Sequence, residues 1–260
     1  NCVVTGASAG LGRALAEAWA QSGANVVLVA RRADPLREFA AKLKEAGPGE
    51  VLPVVGDVSW QEDVERIRQT VAENWNRVDL LCNCVGRSAR GKVLETAPED
   101  FQQLWDVNLM SAVYCTKAFA PMLLKSRGHV VNIGSLASRV APAYLGAYPA
   151  VKHALAAFTQ QLRMEHGPAG LHAMLVCPGP IAGGDANRYA EQAGALPSHA
   201  AQPGGGAKIR GLDPEKLAAR ILRHCQRRRP ELIAPGYVRL LLIAAQVSPR
   251  AGDWLLRKFT

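Results

Sequence analysis

Two residues four positions apart have the types and the spacing to do proton chemistry. Tyr148 and Lys152 stand in the segment YPAVK, and positions i and i+4 of a helix share one face. An ammonium about 4 Å from a phenol, at an effective dielectric near 20, favours the phenolate by roughly 4 kcal/mol, or about three pKa units. Such a phenol can exchange a proton near neutral pH. The alternative is a surface pair without a function, since this spacing often arises by chance.

A glycine-rich turn near the start of the chain predicts a dinucleotide site. The sequence TGASAGLG follows the strand-like run Val3-Val4-Thr5 and leads into a helix-like stretch. Glycines allow a tight turn, a close approach of a phosphate and packing of the helix on the sheet. The free N–H groups at the start of the helix then face the pyrophosphate. The predicted cofactor-binding residues of this turn are Gly6, Ser8, Ala9, Gly10, Leu11 and Gly12.

The end of the second strand-like run favours NADP(H) over NAD(H). A free ribose 2′-hydroxyl calls for a carboxylate about 20 residues past the glycines. The sequence has Ala30 near this point, followed by Arg31 and Arg32. A guanidinium can bind a 2′-phosphate, so both arginines are predicted to bind the cofactor. The alternative is that they only begin a solvated helix.

Short apolar runs alternate with amphipathic stretches, and this order must position the residues above. The pattern predicts an α/β fold, a single Rossmann-type doubly wound parallel sheet of about seven strands with helices on both faces. The predicted strands cover 3–5, 25–30, 51–55, 78–85, 129–133, 172–177 and 231–234. The predicted helices cover 11–22, 34–46, 60–75, 99–125, 147–166 and 214–227, followed by one or two more.

The length of 260 residues predicts one dinucleotide-binding and catalytic domain, 1–260. Within it, the Gly-, Pro- and Ala-rich segment 178–211 is expected to be a flexible substrate loop, and 236–260 a C-terminal helical extension. No run of 18 apolar residues exists, so no membrane-spanning helix is expected. A targeting segment upstream of Asn1 would lie outside this sequence.

The net charge of +9 is concentrated in one region. Residues 208–260 hold 12 Lys and Arg against 4 Asp and Glu, a net of +8. Solvated helix ends are the favoured explanation, and an anionic membrane surface is the alternative. Nucleic acid is not expected as a partner, because aromatic residues do not alternate with these charges. The six cysteines lack the spacing of a zinc site and are expected to be buried thiols, so no metal is predicted.

Five motifs in order resemble the short-chain dehydrogenase/reductase family, from Val3 to Gly179. They are T-G-x-x-x-G-x-G, Asp57-Val58, N-x-x-G at 83–86, Ser135 and Tyr148-x-x-x-Lys152. The C-terminal region is similar to the microsomal, hydroxysteroid-dehydrogenase-like branch of that family. The combination is specific because the spacings match as well as the residues.

The resemblance implies an NADP(H)-dependent oxidoreductase that transfers a hydride between nicotinamide and a carbonyl or secondary alcohol. Tyr148 would be the acid or base, and Lys152 would bind the nicotinamide ribose and lower the phenol pKa. Ser135 would bond the substrate oxygen, and Asn108 would hold a water linked to Lys152. The further cofactor-binding residues implied are Asp57, Val58, Asn83, Gly86, Tyr148, Lys152, Pro178, Gly179 and Ile181. A non-catalytic NADP-binding sensor or scaffold on the same fold is the alternative.

The sequence departs from the family pattern at three places, one of which is Val151, where a serine usually precedes the lysine. Cys84 and Val85 replace more polar or smaller residues, and Pro180 follows Pro178-Gly179 where a threonine is common. The apolar loop composition predicts a lipophilic substrate. We expect a homodimer or homotetramer, and the apolar C-terminal helices are expected to make a peripheral membrane contact or, as the alternative, a subunit interface. The expected location is the cytoplasm or the cytoplasmic face of a membrane.

Overall fold

Short apolar segments pair into one parallel sheet that carries the site at one edge. The structure is a computed structural model and describes residues 1–183, 189, 193–194, 196–207 and 209–259. The strand order is β3-β2-β1-β4-β5-β6-β7, and all six pairings are parallel. The strands are β1 (Cys2–Thr5), β2 (Val26–Ala30), β3 (Val51–Val55), β4 (Leu80–Asn83), β5 (His129–Ile133), β6 (His172–Pro178) and β7 (Glu231–Ala234).

Helices connect the strands and cover the sheet. They are α1 (Gly10–Gln21), α2 (Ala33–Ala46), α3 (Gln61–Asn74), α4 (Pro98–Trp105), α5 (Ser111–Ser126), α6 (Tyr148–His166), α7 (Pro214–Gln226), α8 (Val238–Val247) and α9 (Pro249–Phe259). On one face, Leu15 and Ile221 of α1 and α7 join Leu28 in one core cluster. On the other face, Ile67 and Phe119 of α3 and α5 join Val27. Because successive side chains of β2 alternate between the two clusters, the sheet is buried on both faces. The predicted fold class is confirmed.

The fourth strand ends earlier than predicted, at Asn83, because a side-chain hydroxyl takes the place of a neighbouring strand as the hydrogen-bond partner of the next residues. The Thr5 hydroxyl accepts hydrogen bonds from the backbone N–H groups of Cys84 at 3.0 Å and Val85 at 3.4 Å. It also donates to the carbonyl oxygen of Cys82 at 3.3 Å. These bonds turn the chain out of the sheet after Asn83, and the turn brings residues 84–86 beside the glycine-rich turn.

The long helix predicted over 99–125 contains a π-helical turn. Between α4 and α5, residues Asp106–Met110 form i→i+5 bonds, and Asn108 lies within this wider turn. By length and composition alone, the continuous run Pro98–Ser126 could cross a membrane, contrary to the expectation from sequence. However, 44% of its apolar window is buried, with Phe119 and Leu123 in the core, so this signal is that of a core helix.

The segment predicted as a substrate loop has local structure in its described residues. Ile181 forms a parallel bridge with Leu212, and short 3₁₀ turns occupy Ser198–Ala201 and Pro203–Gly206. The remaining part of the prediction, at 184–188, 190–192, 195 and 208, lies outside the described residues. The predicted extension folds back as α8 and α9, which pack together where Gly252 meets Ala245.

Candidate active site

The carboxyl ends of the strands open into one cleft with a volume of about 1380 Å³. Parallel α/β sheets bind ligands at this edge. Most of the predicted site residues line the cleft, whereas Gly10, Asn83 and Asn108 do not. Those that line it are Gly6, Ser8, Ala9, Leu11, Gly12, Arg31, Arg32, Asp57, Val58, Gly86, Ser135, Tyr148, Lys152, Pro178, Gly179 and Ile181.

The glycine-rich turn fits an anionic ligand. Gly6 and Gly10 have positive φ angles of 69° and 52°, and a Cβ at Gly12 would collide with the carbonyl oxygen of Gly6. A Cβ at Gly10 would meet nothing within 4 Å, so the space above the turn is open. Ala9 precedes α1 without a side-chain cap, and the first N–H groups of the helix therefore remain for a ligand. These features match the pyrophosphate of a dinucleotide.

Two cations stand at the outer end of the cleft. The side chain of Arg31 is 75% exposed, and its Nη1 lies 3.5 Å from Oδ2 of Asp57. The other Asp57 oxygen accepts from the backbone N–H and the hydroxyl of Ser59, at 3.0 and 2.7 Å. Asp57 is therefore fixed, while Arg31 can turn towards an anion with little loss. Arg32 is also exposed and lines the cleft.

Ser135 is held rigidly at the end of β5. It has an extended backbone and caps a 3₁₀ turn, where its Oγ accepts from the N–H of Ala137 at 3.1 Å. In return, Oγ of Ser138 accepts from the N–H of Ser135 at 3.1 Å. This reciprocal cap holds the Ser135 hydroxyl at the cleft, which Tyr148 also lines.

Tyr148 and Lys152 lie on the first turn and a half of α6, as their spacing predicts. Pro149 occupies the first turn, where no intrahelical N–H bond is lost. Lys152 is 3% exposed, and its Nζ donates to the carbonyl oxygen of Ile133 at 3.0 Å. The ammonium lies 5.8 Å from the centroid of the Tyr148 ring. A Cβ at Gly86 would stand 3.2 Å from this nitrogen, so glycine leaves room for the lysine.

The protein alone does not acidify the phenol, contrary to the expectation from sequence. Burial raises the pKa of Tyr148 to about 12, against smaller lowering effects of the Ser135 hydrogen bond and the Arg90 charge. Burial also lowers the pKa of Lys152 to about 8. The prediction treated only the attraction between the two groups. In the fold Lys152 is buried and Tyr148 is half-buried, and the cost of desolvating the charged form is the largest effect on each pKa.

Asn108 is bonded to protein groups on both sides of its amide. Its Oδ1 accepts from the N–H of Arg87 at 3.0 Å, and its Nδ2 donates to the carbonyl oxygens of Arg87 and Leu104, each at 3.0 Å. The side chain thus joins the π-helical turn to the segment after β4. The predicted water-holding role stays a prediction.

The side chain of Asn83 points away from the cleft, in contrast to its expected position along the cofactor. Its Nδ2 donates to Oδ1 of Asn132 at 2.8 Å and to Oγ1 of Thr116 at 3.2 Å. Its Oδ1 is buried without a hydrogen-bond partner among the described residues. Because its hydrogen-bond partners lie on β5 and α5, the amide is buried between the sheet and α5.

Sequence reasoning named no individual residue of the cleft wall beyond Tyr148, although the segment 178–211 was expected to contribute to it. Arg90 and Tyr189 line this part and contact each other. Most of the other lining side chains are apolar and come from distant segments: Val140, Pro142, Leu145, Ile209, Leu241, Leu242 and Leu256. No motif marks these positions. Two coarser signals were available. The segment 178–211, which contains Tyr189 and Ile209, is predicted as a substrate loop, and the apolar C-terminal helices are predicted as a contact surface.

The cysteines offer little reactivity. All six are free, and Cys84 is the one that is not fully enclosed. Cys84 lines the cleft, but burial raises its pKa to about 12. Within the described ranges, no three His, Cys, Asp or Glu side chains are grouped to hold a metal ion.

Comparison with known proteins agrees with this geometry. A family profile described as short chain dehydrogenase matches residues 1–193. Dehydrogenase/reductase SDR family member 7B from Xenopus tropicalis is 32% identical over 255 residues, covering 93% of this chain and 79% of that protein. An 11-beta-hydroxysteroid dehydrogenase A from Sesamum indicum is 36% identical over 182 residues, covering 69% and 51%. The predicted family and branch are therefore confirmed.

Two solved structures share the fold with different cofactors. L-sorbose reductase from Gluconobacter frateurii, complexed with NADPH and L-sorbose, has a TM-score of 0.79 and 28% identity, covering 90% of this chain and 94% of that one. A short-chain dehydrogenase/reductase from Burkholderia phymatum, in complex with NAD, has a TM-score of 0.82 and 26% identity, covering 96% and 93%. Proteins of this fold therefore bind either NADPH or NAD.

Proposed function

Because this chain belongs to the short-chain dehydrogenase/reductase family of oxidoreductases, we propose that it is an NADP(H)-dependent enzyme that interconverts a carbonyl and a secondary alcohol. One observation carries the proposal. Tyr148, Ser135 and Lys152 converge on the cleft that begins at the uncapped helix and the glycine-rich turn. Reactive groups and a dinucleotide cradle thus share one space.

The roles of the side chains follow from their placement. The turn after β1 would hold the pyrophosphate, and Lys152 the ribose of the nicotinamide. When bound, the nicotinamide supplies or accepts the hydride. Tyr148 gives a proton to the substrate oxygen in reduction and takes it back in oxidation. The Ser135 hydroxyl donates a hydrogen bond to the same oxygen, where negative charge develops.

The protonation of Tyr148 favours reduction as the direction to test first. With a pKa of about 12, the phenol keeps its proton at neutral pH, which is the form that carbonyl reduction uses. Oxidation requires the phenolate, and a further positive charge near the ring would be needed to stabilise it. Reduction with NADPH therefore needs no change in the ionisation of this group.

The preference for NADP(H) rests on the arginines after β2. Similar proteins have been solved with NADPH and with NAD, so the choice depends on this chain's own residues. Arg31 and Arg32 face the cleft at its outer end. Asp57, the carboxylate beside them, follows β3 and accepts two bonds from Ser59. A 2′-phosphate would meet two cations here, which favours the phosphorylated cofactor.

The lining beyond Tyr148 supports a lipophilic substrate. Val140, Leu145, Leu241 and Leu242 face the space in which the reacting carbon would lie. Arg87 and Arg90 are charged side chains that also line the cleft. Arg87 bonds the side chain of Gln103, and backbone carbonyls already accept the hydrogen bonds of Arg90. A ketone or aldehyde on an apolar skeleton suits this wall better than a sugar phosphate.

The outer surface of α8 and α9 supports contact with a membrane or another subunit. Leu240, Val247 and Trp254 are 77%, 81% and 60% exposed, and Arg250 and Arg257 are exposed near them. We propose a homodimer or homotetramer with peripheral contact to anionic lipid, in the cytoplasm or on a cytoplasmic membrane face. Flotation with anionic liposomes at low salt, lost at high salt, would support the lipid contact. A dimer that does not float would assign the surface to a subunit interface.

A screen of lipophilic ketones and aldehydes with NADPH tests the proposed function. The expected result is a loss of NADPH absorbance with at least one apolar carbonyl, at a higher kcat/KM than with NADH. NADPH binding measured alongside gives the second outcome. Binding without turnover on any carbonyl would contradict the enzymatic role and favour an NADP-binding sensor or scaffold.

A further inference from the structure

A buried arginine joins the two sides of the cleft beyond Tyr148. Arg90 follows β4 and is 9% exposed. Its Nε donates to the carbonyl oxygen of Ala200 at 2.6 Å, and its Nη2 donates to that of Gln202 at 3.0 Å. Both acceptors lie more than 100 residues further along the chain. We call residues 198–206, which contain these acceptors, the latch segment.

An aromatic ring completes the contact. The guanidinium carbon of Arg90 lies 4.2 Å from the centre of the Tyr189 ring, within the range of cation–π attraction. Tyr189 also lines the cleft. A buried guanidinium is unfavourable unless its donors are bonded, and here the carbonyl oxygens of Ala89, Ala200 and Gln202 and the Tyr189 ring face meet it. The planar fork of arginine serves two carbonyl oxygens at once, which a lysine cannot do.

The backbone beside Arg90 is fixed to the loop that leads into Tyr148. The N–H of Gly91 donates to the carbonyl oxygen of Tyr144 at 3.1 Å, and the N–H of Gly146 donates to that of Gly91 at 2.9 Å. The same loop meets the latch segment a second time, because the rings of Tyr144 and His199 pack edge to face with centroids 5.6 Å apart. Arg90 therefore stands between the loop before Tyr148 and the latch segment.

We propose that Arg90 is a positioning residue that holds the latch segment against the loop before Tyr148, and thereby shapes the substrate wall of the cleft. The proposal rests on the proposed function for its kinetic consequences only. Because the guanidinium is committed to backbone carbonyls and to Tyr189, the wall that it stabilises favours uncharged carbonyl compounds. Its positive charge also acts on Tyr148, where it opposes the rise in pKa caused by burial.

Amide hydrogen exchange of the latch segment tests the proposal without any substrate. In Arg90→Gln we expect residues 198–206 to exchange roughly tenfold faster or more, as the loss of charge-assisted bonds allows. Arg90→Lys keeps the charge but loses the fork, so exchange should remain fast. Arg87→Gln removes a charge from the same loop without touching the latch segment, and exchange there should match the unmodified protein. Equal exchange in all four proteins would overturn the proposal.

Kinetics then separate positioning from general damage. Arg90→Gln should raise KM for an apolar carbonyl more than it lowers kcat, with NADPH affinity unchanged. Arg90→Lys, which keeps the charge but loses the planar fork, should show a similar rise in KM. Equal loss of kcat and NADPH affinity would show general damage and contradict the proposal.

A milder variant covers the case in which Arg90→Gln does not fold. Tyr189→Leu removes the ring contact while Arg90 keeps its bonds to the carbonyl oxygens, and it should speed exchange of the latch segment by a smaller factor. Unchanged exchange in this variant would then contradict the proposed role of Arg90. If the unmodified protein reduces no carbonyl, the proposed function fails, whereas the exchange experiment still decides the role of Arg90.

Discussion

The end of the cleft at the glycine-rich turn is built from backbone, and the end beyond Tyr148 is built from side chains. In the first, which we call the nucleotide half, positive φ angles at Gly6 and Gly10 and the free N–H groups of α1 present the site. In the second, the substrate half, apolar side chains such as Leu145 and Leu241 form the wall. The difference teaches that a shared ligand demands fixed backbone geometry, whereas a variable ligand demands only a surface of suitable shape.

Tyr148 stands between the two halves, and its replacement should separate them most strongly. Tyr148→Phe keeps the ring but removes the proton, so kcat should fall by about 10²- to 10⁴-fold while the Kd for NADPH stays the same. Steady-state turnover and fluorescence titration measure the two quantities. Tyr144→Phe, which keeps its ring contact with His199, is the control and should retain its rate. Turnover of the Tyr148 variant within about tenfold of the unmodified protein would refute the assignment.

Lys152 lies where the two halves meet, and its burial tests whether a residue proposed for catalysis lowers the free energy of unfolding. Its native pKa of about 8 lies below the ordinary 10.5, so the unfolded chain holds an extra proton between these values. The free energy of unfolding should therefore rise with pH from about 8 to 10.5, by roughly 3 kcal/mol from this group.

Denaturant unfolding of the cofactor-free protein across this range measures the effect. Lys152→Met should lack this part of the rise and be the more stable protein near pH 7. Lys42→Met, at an exposed position of α2, should follow the unmodified protein. Parallel curves for Lys152→Met and the unmodified protein would show that the buried amine carries no such penalty.

Arg31 is the exception within the nucleotide half, since its side chain rather than its backbone is proposed to select the ligand. Arg31→Ala should lower the ratio of kcat/KM for NADPH to that for NADH by about 10- to 100-fold, the effect of losing a charged hydrogen bond. Arg37→Ala, on the exposed side of α2, should leave the ratio unchanged. An unaltered ratio in Arg31→Ala would place the selection of the cofactor elsewhere.

The smallest effect is expected in the substrate half, where many side chains share the contact. Leu241→Ala should raise KM for a bulky apolar carbonyl roughly tenfold, with a small carbonyl and NADPH hardly affected. Ile243→Ala, half exposed on the same helix and outside the cleft, is the matched control. Equal KM values for the bulky substrate in both variants would exclude α8 from the substrate wall.

The sequence predicts well those features that depend on local geometry. The glycines at 6, 10 and 12 satisfy a backbone requirement, and the spacing of Tyr148 and Lys152 follows from one helix. The alternation of strands and helices is enough to predict a parallel sheet of about seven strands, whereas the order of the strands in the sheet comes from the structure. The end of β4 was harder to predict, because it depends on the Thr5 hydroxyl, which comes from the neighbouring strand.

Features that depend on distant partners could not be predicted. The amide of Asn83 turns inward because Asn132 and Thr116 lie there, and neither is near it in sequence. The pKa of Tyr148 depends on how completely the fold excludes water, which a spacing of four residues does not reveal. Arg90 is an ordinary surface residue by composition, and only the fold brings it to Ala200 and Gln202.

The placement of α8 and α9 in the substrate wall has an evolutionary consequence. Leu241, Leu242 and Leu256 follow the last strand of the sheet in the chain, yet they line the same cleft as Tyr148. Mutations in this stretch can alter which molecules are accepted while leaving the proton donor and the dinucleotide cradle untouched. Selection can therefore broaden or change the substrate range of such an enzyme through substitutions in two helices, without changes to the residues proposed for catalysis and cofactor binding.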